Sequence, residues 1–564
     1  MRHTTSCRIV CWLSLIAFAV APMCAFAQRS ELGKVNFPTT GSEQAKAHFL
    51  RGVAALHSFW YEEALEEFQE ATKADPDFMM GYWGEAMTYN HPLWAQQDTE
   101  AARKAVSKIK DTPKLTDRER AYINAVKVLY GEGEKLARDF AYSAAMGNIY
   151  RAYPDDLEAA AFYALSLLGT VRPGDKGFRR QMQAGAIAME VYKKNPDHPG
   201  AAHYIIHAFD DPEHAILALP AARRYSQIAP EAHHARHMPA HIFLQLGMWP
   251  EAAASNESAW EVSNAWVKRK NLPVGARDYH SLHWLLYVYL QQGRLAKAED
   301  ILSMKRRDVA QAPNDPTVTR GNDEMAAAFI IETERWDMAD KLFARAEQAM
   351  ATEIGPPGGA GAHAGHMPAA PTGNNPGAAG RYRQNPSLPV FVRGLAAAKA
   401  GSAEAEKSIA SLQAIRKQMT DRGEAYQAKS VEILELEVAA TYRAAKGGYD
   451  EAIAMMKKAT SLEEEMSPPS GPPDLIKPSH ELFGEVLLQA SRPQEAANQF
   501  RVALLRQPNR ARSLLGAARS AAQRGDTKGA LEGYSRLLQV WVQADQQLPE
   551  LKEAREYAEK ERAN

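Results

Sequence analysis

Cysteine is almost missing from this 564-residue chain, and its three copies, Cys7, Cys11 and Cys24, all fall within the first 24 positions. Everything after them lacks thiols, which excludes structural disulfides, a cysteine nucleophile and thiolate metal ligation. Any metal site beyond residue 24 must be assembled from imidazole, carboxylate, backbone or water. Long apolar runs are also scarce. Ile9 to Val20 is too short for a comfortable bilayer crossing, and no later stretch does better. Nor is there an excess of either charge, since 67 basic side chains face 68 acidic ones. That balance gives no argument for nucleic acid or for an anionic membrane as the partner, and neither is expected. The alternating pattern of β-strands is absent, as are His-Glu-x-x-His, a phosphate-cradling glycine loop and Gly-x-Ser-x-Gly.

The start of the chain reads as an export signal: Arg2 and Arg8, then the apolar Ile9–Val20, then Ala25-Phe26-Ala27 before Gln28. The expectation is cleavage near Ala27 and release of a periplasmic or secreted protein. Removing Arg2 and Arg8 leaves 65 basic against 68 acidic groups, a charge of −3.

Alanine and leucine instead recur at helical spacing. The string Ala64, Phe68, Ala71, Pro76 sets a small residue, an aromatic four on, alanine seven on and proline twelve on. Ala496, Phe500, Ala503 and Pro508 repeat it, and Ala530 with Tyr534 follows Gly525-Asp526 in the same register. Ala252, Asn256 and Ala259 follow Gly247-Met248-Trp249, Ala298 follows Gly293-Arg294, and Ala452 with Ala459 follows Gly448-Tyr449. The pattern resembles the tetratricopeptide repeat, a helical hairpin of about 34 residues. The steps Ala218 to Ala252 and Ala496 to Ala530 are both 34 residues. The resemblance implies an all-α solenoid, a right-handed superhelix of hairpins. The reading by segment is a signal at 1–27, an array at 28–350 with its histidine-rich repeats at 198–300, a Gly/Pro/Ala-rich insertion or linker at 351–390, and a second array at 391–564. The linker carries His363 and His366. Residues 95–135 are charged and less regular.

What is abundant is histidine in one place. Ten of the seventeen histidines lie between His198 and His283. The repeat register orders them. His203, His237 and His283 each stand fifteen residues before the small alanine of their repeat, Ala218, Ala252 and Ala298. His207 and His241 stand eleven before, with Tyr287 in that place in the third repeat, and His234 and His280 stand eighteen before. Offsets of three and four share one helix face. In tetratricopeptide arrays that face lines the concave groove, so the resemblance implies an inward ladder of His203, His207, His234, His237, His241, His280 and His283. Glu158 on the preceding first helix and Glu324 on the following one are candidate carboxylates.

Imidazole and carboxylate donors without thiolate favour a divalent transition metal, with zinc or copper ahead of nickel or iron. The number of histidines leaves room for a two-metal site or for outer-shell partners. Asp210, Asp211 and Asp278 are candidates to orient rings, although Asp210-Asp211-Pro212-Glu213 also reads as a turn with a capped helix start. His48, His57, His198 and His480 read as ordinary packing or groove residues, and His91 stays open. Three functions are compatible with this pattern. The leading one is an exported repeat protein whose histidine-lined groove binds a metal and a protein or peptide partner. The second is a mono- or binuclear hydrolase or oxidase on the same histidines, with Glu158, Tyr204, Tyr287 or Glu324 as acid or base. The third is a metal-free interaction scaffold.

Overall fold

The computed structural model describes residues 31–343 and 386–563, apart from 173–174, 176 and 474. The proposed signal, 1–27, and His363 and His366 lie outside the described residues, as does most of the 351–390 segment. The end of that segment is already helical, since the helix Ser387–Lys399 begins inside it. Nearly all regular structure is helix. A two-residue antiparallel pair, Asn90–His91 with Gln96–Gln97, sits within the irregular stretch and closes the turn at Pro92–Trp94. The rest of that stretch folds as Thr99–Val106 and Asp117–Leu129, the latter started by a Thr116/Glu119 capping box.

The first hairpin shows why the repeat pattern folds as it does. Ser42 caps Glu43–His57 by accepting from the Ala45 amide, and the chain returns in Tyr61–Ala74. Phe68 on the return helix is fully buried. A β-carbon at Gly52 would come within 2.8 Å of its ring and one at Gly84 within 2.3 Å. Both glycines stand sixteen residues from Phe68, one before and one after. The aromatic ring thus fills the space vacated by two glycines on neighbouring first helices. Phe500 repeats the arrangement between Gly484 and Gly516, where a β-carbon would meet it at 2.6 and 2.2 Å. Close packing leaves no slack for extra methyl groups here.

Several hairpin turns place one residue at positive φ, five before the small alanine. Gly247, Gly293, Gly447 and Gly525 supply it without strain. Phe59, at φ 52°, occupies the same place in the first hairpin, where a side chain makes the left-handed region costly.

The array does not stay open. Segments on the two sides of residue 386 dock together. Trp249 donates its indole N–H to the Asn509 carbonyl at 2.9 Å, Trp541 donates to the Gln291 carbonyl at 3.0 Å, and the Asp545 amide donates to the Gly293 carbonyl at 3.0 Å. At the centre of this seam Arg510 is wholly buried. Its guanidinium donates to Glu481 at 2.8 Å, to Glu332 and to the Tyr287 hydroxyl at 3.0 Å. Removing the cation would leave the buried Glu332 to Arg512 at 3.8 Å and the buried Glu481 to Lys477 at 2.9 Å. Arg510→Ala should therefore cost about 3–5 kcal/mol, read as a drop in the urea midpoint, and a change below about 1 kcal/mol would show that the cluster is effectively solvated.

Candidate metal centre

Three consecutive first helices carry the histidines. Pro199–Ala208 begins at His198, whose ring Nδ1 accepts from the Ala201 amide, and Pro199 starts the helix where its missing N–H is harmless. It presents His203 and His207 on one face. The next first helix is broken into His233–His237 and Pro239–Gln245. Pro239 cannot donate, so the backbone resets there, and His237 and His241 sit on either side of the break. The third, Tyr279–Gln291, starts at Asp278, which caps the Ser281 amide, and presents His280 and Trp284.

These helices bring six imidazoles into two groups of three. In the first, Nε2 of His203 lies 3.0 Å from Nε2 of His207 and 3.1 Å from Nε2 of His234. In the second, Nε2 of His237 lies 3.2 Å from Nε2 of His241 and 2.9 Å from Nε2 of His280. The composition of each triad follows the repeat: residues fifteen and eleven before the alanine come from one hairpin, and the residue eighteen before comes from the next. Among the described residues these are two of three clusters whose donor atoms could surround an ion.

The remote nitrogens settle the tautomers. His241 Nδ1 lies 2.6 Å from the Asp210 carboxylate, so it carries the proton. His203 Nδ1 donates to the His57 carbonyl at 2.7 Å. His237 Nδ1 lies 2.6 Å from Oδ1 of Asn256, and the Asn256 amide is oriented by donating to the Ala252 carbonyl at 2.9 Å. A neutral ring protonated at Nδ1 has only a lone pair at Nε2. Burial keeps these rings neutral, pushing His203, His237 and His241 down to about 3. Burial also holds His234 and His280 well below the ordinary histidine range, and neighbouring rings add to it. The Nε2 atoms of His237 and His241 therefore face each other as two lone pairs. In the first triad, the single lone pair of His203 faces two ring nitrogens.

Aromatic side chains flank each triad. The Phe59 ring, carried on its strained turn, lies 4.3 Å from the His203 ring and 5.7 Å from that of His234. Trp284 lies 4.2 Å from His241 and 4.9 Å from His237. Phe59 also lines a mostly apolar, partly open pocket with Tyr61, Met87, Tyr142 and Phe162 among others.

Two of the eight sequence candidates fall outside the triads. Glu158 joins His57 and His198 instead: His57 Nε2 donates to it at 2.7 Å, the Asn36 amide at 3.0 Å, and His198 Nε2 lies 3.3 Å away. The Tyr204 hydroxyl meets His57 Nδ1 at 2.8 Å. Burial opposes the charge on Glu158, but His198 and His57 outweigh it and keep the carboxylate ionised. Glu158, His57 and His198 form a buried polar cluster of their own, in which the His198 Nε2 approach to Glu158 is the loosest contact. His57 thus acts indirectly, offering its carbonyl to His203. Its adjacency to Glu158 was missed in sequence because the two are 101 residues apart.

His283 is the other exception. It occupies the same register as His203 and His237, but Tyr287 replaces the histidine eleven before Ala298. Gly321 stands eighteen before Ala339. A β-carbon at Gly321 would lie 3.6 Å from His283 Nδ1, so the third ligand position is present in space and has no side chain. Burial pushes His283 down to about 4. Glu324 is held above the usual carboxylate range, burial being the chief cause. Of the aspartates, Asp210 orients a triad ring, whereas Asp211 caps a turn and pairs with His214, and Asp278 pairs with His233. Asn256 was the missed supporting residue. Its signal was visible: a polar side chain stands where Phe68, Phe500 and Tyr534 stand in other repeats. His48 pairs with Glu67, His480 with Gln499 and Glu464, and His91 stacks on Tyr61 at 4.0 Å.

The expected groove is covered at the second triad. A β-carbon on Gly471 would lie 2.5 Å from the Trp284 ring, and Gln245 beside Asp210 donates to the Pro469 carbonyl at 2.7 Å. His203 and His237 are fully buried and His234 is 9% exposed, so this face packs against the chain itself.

Family comparison agrees with the hairpin geometry. Tetratricopeptide-repeat family models match residues 45–78 and 482–549, the segments that contain Phe68 and Phe500. Those two segments are tetratricopeptide repeats. Repeats of this kind suggest a protein-interaction scaffold. Comparison with curated proteins gives no match. Among solved structures, the human IFIT1 dimer with m7Gppp-AAAA aligns over 90% of this chain and 92% of its own, at 14% identity and a TM-score of 0.36. The structure of Naa15/Naa10 bound to HypK-THB aligns over 92% and 73%, at 12% identity and a TM-score of 0.23. Such scores carry nothing over to the histidine site. No described helix is long and apolar enough to cross a membrane.

The third repeat position also generates a pH effect. Lys305 is buried with its ammonium 3.9 Å from the Tyr279 ring centre, and among the described residues it has no hydrogen-bond acceptor. Burial pushes it down to about 7. The unfolded chain keeps that proton to about pH 10.4, so between roughly 7 and 10 it binds more protons than the folded chain and stability rises with pH. Lys305→Met should stabilise the protein near pH 6.5 by about 1–4 kcal/mol, and the advantage should shrink towards pH 10. Denaturant midpoints of both proteins across that range check it; a constant difference would contradict it.

Proposed function

We propose that this tetratricopeptide-repeat protein is an exported binding protein with a transition-metal centre, in which His203, His207 and His234 form one site and His237, His241 and His280 the other. The observation that carries this reading is the contact between Nε2 of His237 and His241. Two lone pairs at 3.2 Å repel, and a cation between them converts that repulsion into coordination. Three nitrogens on a tetrahedral ion at normal bond length stand about 3.3 Å apart, close to the separations found. The ligand rings are further supported in the usual manner of metal-bound histidine, with Asp210, Asn256 and the His57 carbonyl holding the remote N–H groups. Export rests on the basic, apolar and small-x-small order of residues 1–27. A protein partner would engage the remaining repeat surface, since the face bearing the triads is packed internally.

Tag-free protein, dialysed and submitted to elemental analysis, should hold transition metal near or above one ion per chain. His237→Ala combined with His241→Ala should remove about half of it, since one triad survives. Asn256→Leu should weaken metal binding about 10–100-fold by freeing the His237 ring. Chelation should leave the far-UV helical signal intact, because hairpin stacking supplies the core independently. Substoichiometric metal, indifferent to these substitutions, would reject the reading and leave the scaffold alone.

A further inference from the structure

The donor set of the two triads restricts the ions and what they bind. Neither triad includes a carboxylate: the nearest, Asp210, bonds the remote nitrogen of His241. Six neutral imidazoles offset none of the charge they enclose. Two divalent ions would bring four positive charges into a buried site, whereas two monovalent ions would bring two. Imidazole donors suit copper, which among the metals that such donors hold has an accessible monovalent state. Three nitrogens leave each ion an open position. The triads adjoin: the His207 and His241 rings are 5.8 Å apart and those of His234 and His237 are 6.1 Å apart. That spacing is compatible with two ions close enough to share a small bridging ligand, as in sites whose metals are about 3.5–4 Å apart. Phe59 on one side and Trp284 on the other restrict water around the pair.

Building on the metal reading above, we propose that the two triads hold a pair of copper(I) ions that bind dioxygen between them. Each copper gives up one electron and becomes copper(II), and dioxygen accepts both and becomes bound peroxide. The oxygen–oxygen bond is kept, no proton moves, and the reverse transfer releases dioxygen. A neutral ligand set fits this exchange, because the bridging dianion compensates the charge that appears on the metals.

The test uses the full-length, tag-free chain. Under anaerobic conditions it is titrated with copper(I) against a chromophoric chelator, and in parallel with zinc(II). The expected result is about two copper(I) ions per chain, followed on admission of dioxygen by uptake of about one molecule per copper pair, a new near-ultraviolet and visible absorption, and no paramagnetic copper(II) signal because adjacent spins couple. His207→Gln and His280→Gln, each altering a partly exposed ligand of a different triad, should each keep about one copper and lose the dioxygen-dependent absorption. If one variant fails to fold, the other carries the comparison. A two-copper protein that takes up no dioxygen, or that gives the full signal of isolated copper(II), overturns the proposal. Retention of zinc without copper(I) also overturns it while the metal reading survives. Retention of neither metal removes both.

Discussion

A neutral imidazole has one lone pair and one N–H, and fixing the proton on one nitrogen fixes the lone pair on the other. In this protein three buried acceptors, the Asp210 carboxylate, the Asn256 amide oxygen and the His57 carbonyl, fix the protons of His241, His237 and His203 on the side away from the cluster centre. The lone pairs of His237 and His241 are then turned towards each other, and that of His203 towards two ring nitrogens. Burial blocks the usual escape, which is to protonate a ring and make an N–H···N bond, because a charged imidazole would be desolvated beside other imidazoles. The cluster at Glu158 shows the same residue type resolved in the opposite way. There His57 directs its N–H at a carboxylate and receives a hydroxyl from Tyr204, so both of its nitrogens are matched. The difference between a structural histidine cluster and a ligand cluster lies in which way the protons point, and that is decided by residues outside the cluster.

The repeat explains why there are two such sites. A hairpin copied along the chain copies the geometry of its first helix, so histidines fifteen and eleven residues before the small alanine recur at a fixed orientation, and the next hairpin always offers a position eighteen before. Where all three are histidine, a three-nitrogen site appears. The third copy has His283 but Tyr287 and Gly321 in the other two places, with the Lys305 cation close by. Its backbone is equivalent and its chemistry is not. This is the sense in which a solenoid supplies positions and the side chains supply function.

Much of this was legible in the sequence, for a physical reason: helix faces are local. The offsets of three, four and seven that place His203, His207, His237 and His241 on inner faces are set by the 3.6-residue turn, and so are the alanine–aromatic spacings that define the hairpins. What was not legible depends on contacts between distant segments. That Glu158 would meet His57, 101 residues away, rather than the ladder cannot be read from spacing. Neither can the covering of Trp284 by Gly471, which depends on how the later helices return to the array. The division of six of the seven ladder histidines into two triads required knowing which neighbouring helix faces which. Asn256 lies between these cases. Its deviation from the aromatic pattern was visible, but its purpose emerged only with His237 beside it. Histidines that looked ordinary, such as His48 and His480, do have ordinary partners.

The closed seam bears on which kind of ligand can use the triads. An open tetratricopeptide groove suits an extended peptide, which needs continuous access along several first helices. Here Pro469 and Gly471 lie over the inner end of that route, and the buried Arg510–Glu481–Glu332 cluster locks the later repeats onto the earlier ones. Such a cluster confers a unique docking geometry more than stability, because much of its Coulombic gain is offset by desolvation. Its value is positional: it keeps the segment over Trp284 in one place and so keeps bulk water from the second triad. At the first triad the same exclusion is achieved by Phe59, held in a left-handed turn that four other repeats assign to glycine. Strain at that residue and a buried ion cluster far away in sequence thus bear on the same pair of histidine clusters, each of which keeps one partly exposed ring, His207 or His280.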